Sequence, residues 1–341
     1  MKKLLFTIVC FVLFCQNVFS QDVDKRYVMA YKEMTSMLEG ITDLSIKRAV
    51  FLSEWAYLDG NLDYEKDFCE EINRVSNFIN SFISVNHLEK YKTAKQMALC
   101  EYFFNPWSGN NYKPYTYDFT GEIPTNDWRN QFVSRVLKSH KGQCHSLPWA
   151  YKLFAEAIEA KAYIAHGPGH CFIMYKDEDN LYPEEWVNVE LTSHQYQPTF
   201  WIKEYFAISD SAISKGTYLT PLSDRQTVAA QLTDLAFGYN AKYHKYDKFT
   251  LDCVQMSLRY YPMNPNAIII KGKSAETLLL NYLKKNGGLA DYYTDYLDLL
   301  IMESQQQLAN TYMTQLTEEL KQRWESGYGI LQEHQKKQGY E

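Results

Sequence analysis

From Val23 to about Ser139 the apolar positions recur at spacings of three and four, which predicts a mostly helical segment. One run takes in Ile46, Ala49, Val50, Leu52, Ser53 and Ala56, and a second takes in Phe68, Ile72, Val75, Phe78 and Ile79. Asp59-Gly60-Asn61 separates them as a turn. The period is lost over residues 105–127, where Asn105-Pro106-Trp107-Ser108-Gly109-Asn110-Asn111, Pro114, Gly121 and Pro124 mark a long loop. Loops of that length in compact domains often lie over a site. A helix is expected to resume near Asp127, with Phe132, Val133, Val136 and Leu137 on one face.

Between 141 and 192 the period changes. Leu147, Ala150, Tyr151, Phe154, Ala155 and Ile158 form one helical face, and Lys161 to Ala165 then predicts a short strand. Gly167-Pro168-Gly169 is a turn, His170 to Tyr175 alternates as a strand, and Trp186 to Leu191 is a further strand after an acidic connection from Asp177 to Pro183. A helix followed by strands packed on it is an α+β arrangement.

Beyond residue 225 the pattern is helical again, with Gly238 and Gly272 lying 34 residues apart. Pro262 ends one helix and Asn264-Pro265 opens the next. That period of helix pairs is the tetratricopeptide spacing, although Ala241, Thr250 and Ser257 stand where the pattern usually has Tyr, Ala and Ala. From Leu289 onward the chain reads as one or two long polar helices, a solvated cap. The expected organisation is a leader over 1–20, a helical region over 21–140, an α+β core over 141–224 and a helical repeat region over 225–341.

The leader rests on Lys2 and Lys3, an apolar run of eleven residues from Leu4 to Phe14, and a small residue at Ser20. Eleven apolar residues are too few to span a bilayer as a helix. Cleavage near Ser20 with export to the periplasm or beyond is expected. Lipidation at Cys15 is the lesser alternative, because Phe14 stands where a lipoprotein signal has a small residue. Later segments contain no membrane span. The net charge of −6 becomes −8 when Lys2 and Lys3 leave, and without a basic stripe this argues against nucleic acid as a partner. Tyrosine contributes 28 residues, which suits a helical core and surface and also a binding cleft.

Five cysteines follow the leader: Cys69, Cys100, Cys144, Cys171 and Cys253. An odd number in an exported chain leaves at least one thiol without an intramolecular partner. Cys144 is the candidate for use. It precedes an amphipathic helix, where unpaired N–H groups and the positive dipole end favour a thiolate and could also hold an oxyanion. Gly142 permits the close backbone approach of such an entry. A thiolate nucleophile needs a base, and the base needs an orienting partner. His170 lies 26 residues on and shares a strand face with Phe172 and Met174, while Cys171 points the other way. Glu190 lies 20 residues further and shares a face with Trp186 and Asn188.

Gly-x-Cys opening a helix, Pro-Gly-His opening a strand and a strand ending in acid-x-Thr resemble the transglutaminase-like, or papain-like, fold. More narrowly, Leu137 to Phe154 with Pro168-Gly169-His170 resembles bacterial transglutaminase-like proteins followed by tetratricopeptide repeats, over roughly residues 40 to 285. The resemblance implies Cys144 as nucleophile, His170 as general base and Glu190 in the place of the orienting acid. Members more often carry Asp there, so either the strand is displaced or Asn188 takes the orienting role. Gln143 is a candidate second oxyanion donor, with a plain polar loop residue as the alternative. The implied chemistry is acyl transfer through a thioester, with hydrolysis of a peptide, protein or other amide favoured over cross-linking. No cofactor is called for.

Two other readings compete. His145, His166, His170 and His194 cluster in sequence beside Cys171 and could bind zinc, but they show no recognised ligand spacing. Alternatively, an inactive core and the C-terminal helices form a binding module that presents a concave surface to a protein partner.

Overall fold

The structure is a computed structural model and describes residues 23–120, 127–311 and 318–339. The expected leader lies outside the described residues. The first helices are α1 (Lys25–Leu38), α2 (Ile46–Tyr57), α3 (Glu70–Val85) and α4 (Ala94–Phe104). Each of the first two is capped by a side-chain oxygen, Asp24 accepting from the Arg26 amide and Ser45 from the Arg48 amide. The apolar runs seen in the sequence bury the expected faces, including Ala49, Val50, Leu52 and Ala56 of α2 and Ile72, Val75 and Ile79 of α3.

The long loop holds the short strand β1 (Thr116–Tyr117). The helix expected near Asp127 starts later. Asp127 caps a single 3₁₀ turn over Trp128–Gln131, and α5 (Val133–Ser139) follows. The cause is tertiary: buried Glu54 of α2 accepts the Val133 and Ser134 amides at 2.6 and 3.1 Å, which fixes where the helix begins. Strand β2 (Lys141–Gly142) pairs in parallel with β1, Tyr117 opposite Gly142, and α6 (Ser146–Ala157) starts four residues beyond it.

A four-stranded antiparallel sheet follows in the order β3 (Tyr163–Gly167), β4 (His170–Lys176), β5 (Trp186–Glu190) and β6 (Gln195–Gln197). Strand β3 sits two residues later than its sequence pattern suggests. Pairing of Gly167 with His170 closes the hairpin on Pro168 and Gly169, whose φ of +64° needs glycine. Cys171, Ile173, Tyr175, Val187, Val189 and Leu191 enter the main core. Phe172 and Met174 face a second cluster built with Ile202 and Phe206, so the period-two reading holds on both strands.

That second cluster is supplied by α7 (Thr199–Tyr205) and the short α8 (Asp210–Ser214). Helices α9 (Asp224–Tyr243), α10 (Lys248–Tyr260) and α11 (Pro265–Lys285) then run antiparallel, each packed on the next. Asn264 caps α11 with Pro265 as its first residue, as the sequence indicates. Thr250 and Ser257 form buried hydroxyl pairs with Ser274 at 2.8 Å and Thr233 at 3.0 Å, so these small residues sit where neighbouring helices touch. Gly272 lies against Ser304 of α12 (Tyr292–Thr311), whereas Gly238 faces Trp128 and Tyr57 rather than a repeat partner. The last helix, α13 (Glu318–Gln338), returns to the sheet. The molecule is therefore mixed helix and sheet, and its main core runs from Tyr27 to Ile270, across positions 140 and 224. No helix among the described residues is long and apolar enough to cross a membrane.

Candidate functional site

Cys144 lies two residues ahead of α6, whose N-cap is His145. Three contacts fix this entry. The Gln143 amide donates to Ser146 Oγ at 2.9 Å, Ser146 Oγ donates to the Asn130 carbonyl at 3.1 Å, and Gly142 lies against α5 and α6. A Cβ on Gly142 would come within 2.7 Å of Val136 and 2.9 Å of Ser146, so glycine is required here for space. The turn leaves Cys144 part-exposed, whereas Cys69, Cys100, Cys171 and Cys253 are buried, and all five are free thiols. Among the described residues the Cys144 amide has no hydrogen-bond partner.

His170 opens β4 directly after the Gly-Pro-Gly turn. Its Nε2 lies 2.6 Å from Glu190 Oε2. The β4–β5 register, with Ile173 opposite Val189, carries Glu190 abreast of Phe172 and therefore diagonal to His170 on the same face. The extra methylene of glutamate spans that diagonal. Glu190 Oε1 accepts both the Thr192 hydroxyl at 2.6 Å and the Thr192 amide at 3.0 Å, so the carboxylate is held from behind. Asn188 instead donates to the Gln197 carbonyl at 3.1 Å and to Thr199 Oγ1 at 3.2 Å, which takes it away from the imidazole. The imidazole stacks on Phe206 at 4.8 Å between ring centroids.

Burial disfavours a charged imidazole. It is outweighed by the Glu190 charge, hydrogen bonds to Cys144 and Glu190, and the Cys144 charge, and together they raise the His170 pKa to about 10. Glu190 engages Nε2 and leaves Nδ1 as the ring nitrogen open to a further partner. Burial pushes the Glu190 carboxyl up, but the His170 charge and the bonds from His170 and Thr192 bring it below its ordinary value. The structure therefore joins His170 to Glu190, with Cys144 near enough for its charge to act on the imidazole.

Gln143 sits elsewhere. It is buried, and its side-chain oxygen accepts from Gln131 Nε2 at 3.3 Å. The zinc constellation does not assemble: His145 goes to Asp234 at 3.3 Å, His166 to the Tyr261 hydroxyl at 3.3 Å, and His194 to the Tyr115 carbonyl. Their strands and turns point them to separate neighbours. No group of three or more His, Cys, Asp and Glu side chains suited to a metal ion occurs among the described residues.

Several site residues lie outside the stretch singled out in sequence. Tyr117, from the long loop, and Tyr328, from α13, stand 5.4 Å apart, and the charge of Cys144 helps raise both phenols beyond what burial does. Burial is the larger cause for each. Helix α13 is anchored there. Arg323 donates to the Glu204 carbonyl at 2.9 Å and Trp324 Nε1 to the Tyr205 carbonyl at 3.4 Å. Gln335, with its amide turned to suit, bonds the Tyr117 carbonyl at 3.2 Å and amide at 2.9 Å. The segment forms the long, mostly exposed helices the sequence indicates, and the last of them also packs Trp324 on the second cluster. The long loop was the one available signal for Tyr117, and nothing local marks Trp324 or Tyr328. Between α13, α7 and the sheet lies a cavity of about 370 Å³ bordered by His170 and Glu190.

Protein-family models, curated proteins and solved structures offer no match to this chain.

Proposed function

We propose that this protein is a transglutaminase-like cysteine enzyme, exported after loss of its leader. In this reading α6 and β3–β6 form its papain-like core and α9–α12 a tetratricopeptide-like region. It transfers an acyl group from an amide or peptide to water or an amine through a thioester on Cys144. The observation that carries this reading is the His170–Glu190 bond of 2.6 Å, beside a Cys144 whose charge acts on the same imidazole. His170 is cationic at neutral pH, and an imidazolium beside sulfur is the pairing in which a thiolate acts as nucleophile.

In the first step the thiolate forms an S–C bond to the carbonyl carbon, and the oxygen takes the negative charge. The partner-free Cys144 amide supplies one donor to that oxygen. Collapse restores the carbonyl and breaks the C–N bond, and His170 gives its proton to the departing nitrogen. Water then adds to the thioester and returns a proton to His170. The C–S bond breaks and the carboxylic acid leaves. Glu190, held by Thr192, keeps the imidazole oriented throughout.

Iodoacetamide labelling near pH 6, read by mass spectrometry at Cys144, tests this reading. Modification at least about tenfold faster than free cysteine is expected, and it should vanish in His170→Ala. Labelling no faster than free cysteine would falsify the enzyme reading and leave the non-catalytic binding module.

A further inference from the structure

The cavity beside His170 touches only one side of the candidate dyad. His170 and Glu190 border it, and Cys144 does not. Its walls are aromatic and aliphatic: Trp201, Tyr205 and Phe206 on one side, and Trp324, Tyr328 and Leu331 of α13 on the other. Trp201 and Tyr205 stack at 4.6 Å with planes 9° apart, and Phe206 lies against both His170 and Trp324. The spacing of the two walls is set at Gly327, where a Cβ would meet the Tyr205 hydroxyl at 2.4 Å. Ser193 is also among the lining residues, and its buried Oγ has no hydrogen-bond partner within the described residues. A volume of about 370 Å³ with largely apolar walls and several polar side chains among them suits a small ligand or one large side group.

The proton transfer fixes which half of a substrate lies here. An imidazolium that protonates the leaving nitrogen must face it, so whatever that nitrogen carries extends to the His170 side. We infer that this cavity binds the amine half of the reaction and selects amines bearing a bulky apolar, above all aromatic, substituent. The inference rests on the Cys144 thioester proposed above. Transfer is the first step reversed: the amine nitrogen bonds to the thioester carbon, the C–S bond breaks, the nitrogen's proton passes to His170, and sulfur leaves as thiolate. One pocket therefore serves the leaving amine and the acceptor amine alike.

The test starts from acetyl–Cys144, formed with p-nitrophenyl acetate, which releases p-nitrophenolate as the acetyl group moves to sulfur. The acetylated protein is then offered phenethylamine or methylamine in water, and the amide products are measured. Phenethylamine should capture the acetyl group at least about tenfold more effectively than methylamine at equal concentration. Trp324→Ala, which removes a wall, and Leu331→Trp, which fills the space, should each bring that ratio towards one. The two act oppositely on volume, so a folding failure of one leaves the other decisive. Equal capture of both amines by acetylated wild-type protein overturns the pocket assignment and leaves Cys144 chemistry intact. A preference unchanged in the folded variants does the same. Absence of acetylation at Cys144 overturns the inference together with the reading beneath it.

Discussion

An imidazole that ordinarily gives up its proton near 6.5 keeps it here to about 10. The raised pKa makes His170 a source of stability that is fully present below its unfolded value and lost as pH rises through about 10. Glu190 supplies the acid side with opposite sign, since its lowered pKa gives stability that is present above 4.5 and lost as pH falls through its folded value. Glu190→Gln removes the leading charge that holds the proton on His170. The alkaline limb of acylation, followed from pH 7 to 11, should move down from near 10 towards neutrality, with the maximal rate reduced about 100-fold. An unmoved limb would detach Glu190 from the imidazole. At Gly142, substitution by Ala places a methyl against Val136 and Ser146, and urea unfolding should register a loss of about 1–3 kcal/mol. Cys144, His170 and Glu190 were legible as residues because each stands at a local signal: a helix entry, a Gly-Pro-Gly turn and a strand face. The choice of Glu190 over Asn188 was not legible, since both lie on one face and only the β4–β5 register makes them inequivalent.

At the scale of elements, long amphipathic helices and alternating strands repeat their signal often enough to be read locally. Two-residue strands do not. Strands β1 and β2 exist because the chain on either side holds Tyr117 beside Gly142, and no periodicity can announce a pair that short. Helix α5 shows the same dependence. Its start is set by Glu54, a buried carboxyl from α2 whose pKa burial raises to about 7. Glu54→Ala leaves the Val133 and Ser134 amides without that acceptor, and the unfolding free energy should fall by about 1–3 kcal/mol. Alkylation of Cys144 in the same variant should become less dependent on His170, because α5 leads directly into the turn that holds the sulfur.

Across the whole molecule, the C-terminal helices close on the sheet. The Thr217 hydroxyl donates to the Thr311 carbonyl at 2.8 Å, and α13 then spans Tyr117, Tyr205 and Phe206. His166 of β3 reaches Tyr261, just beyond α10, and burial, assisted by the charge of His145, lowers its pKa to about 4. The unfolded chain takes up that proton first, so stability should fall as pH drops from 6.5 through 4. His166→Gln should flatten thermal midpoints over that interval, and an unchanged slope would assign the acid sensitivity to other groups.

The sequence by itself determined the helices, the alternating strands and which cysteine and histidine stand at structural transitions, because these follow from periods and turn residues within a few positions. Tertiary structure alone decided that Glu190 meets His170, that the histidine cluster disperses and that a polar C-terminal helix lends Trp324 and Tyr328 to the site. Those outcomes depend on strand register and on packing between segments 79 to 119 residues apart, where local pattern carries no information about the partner.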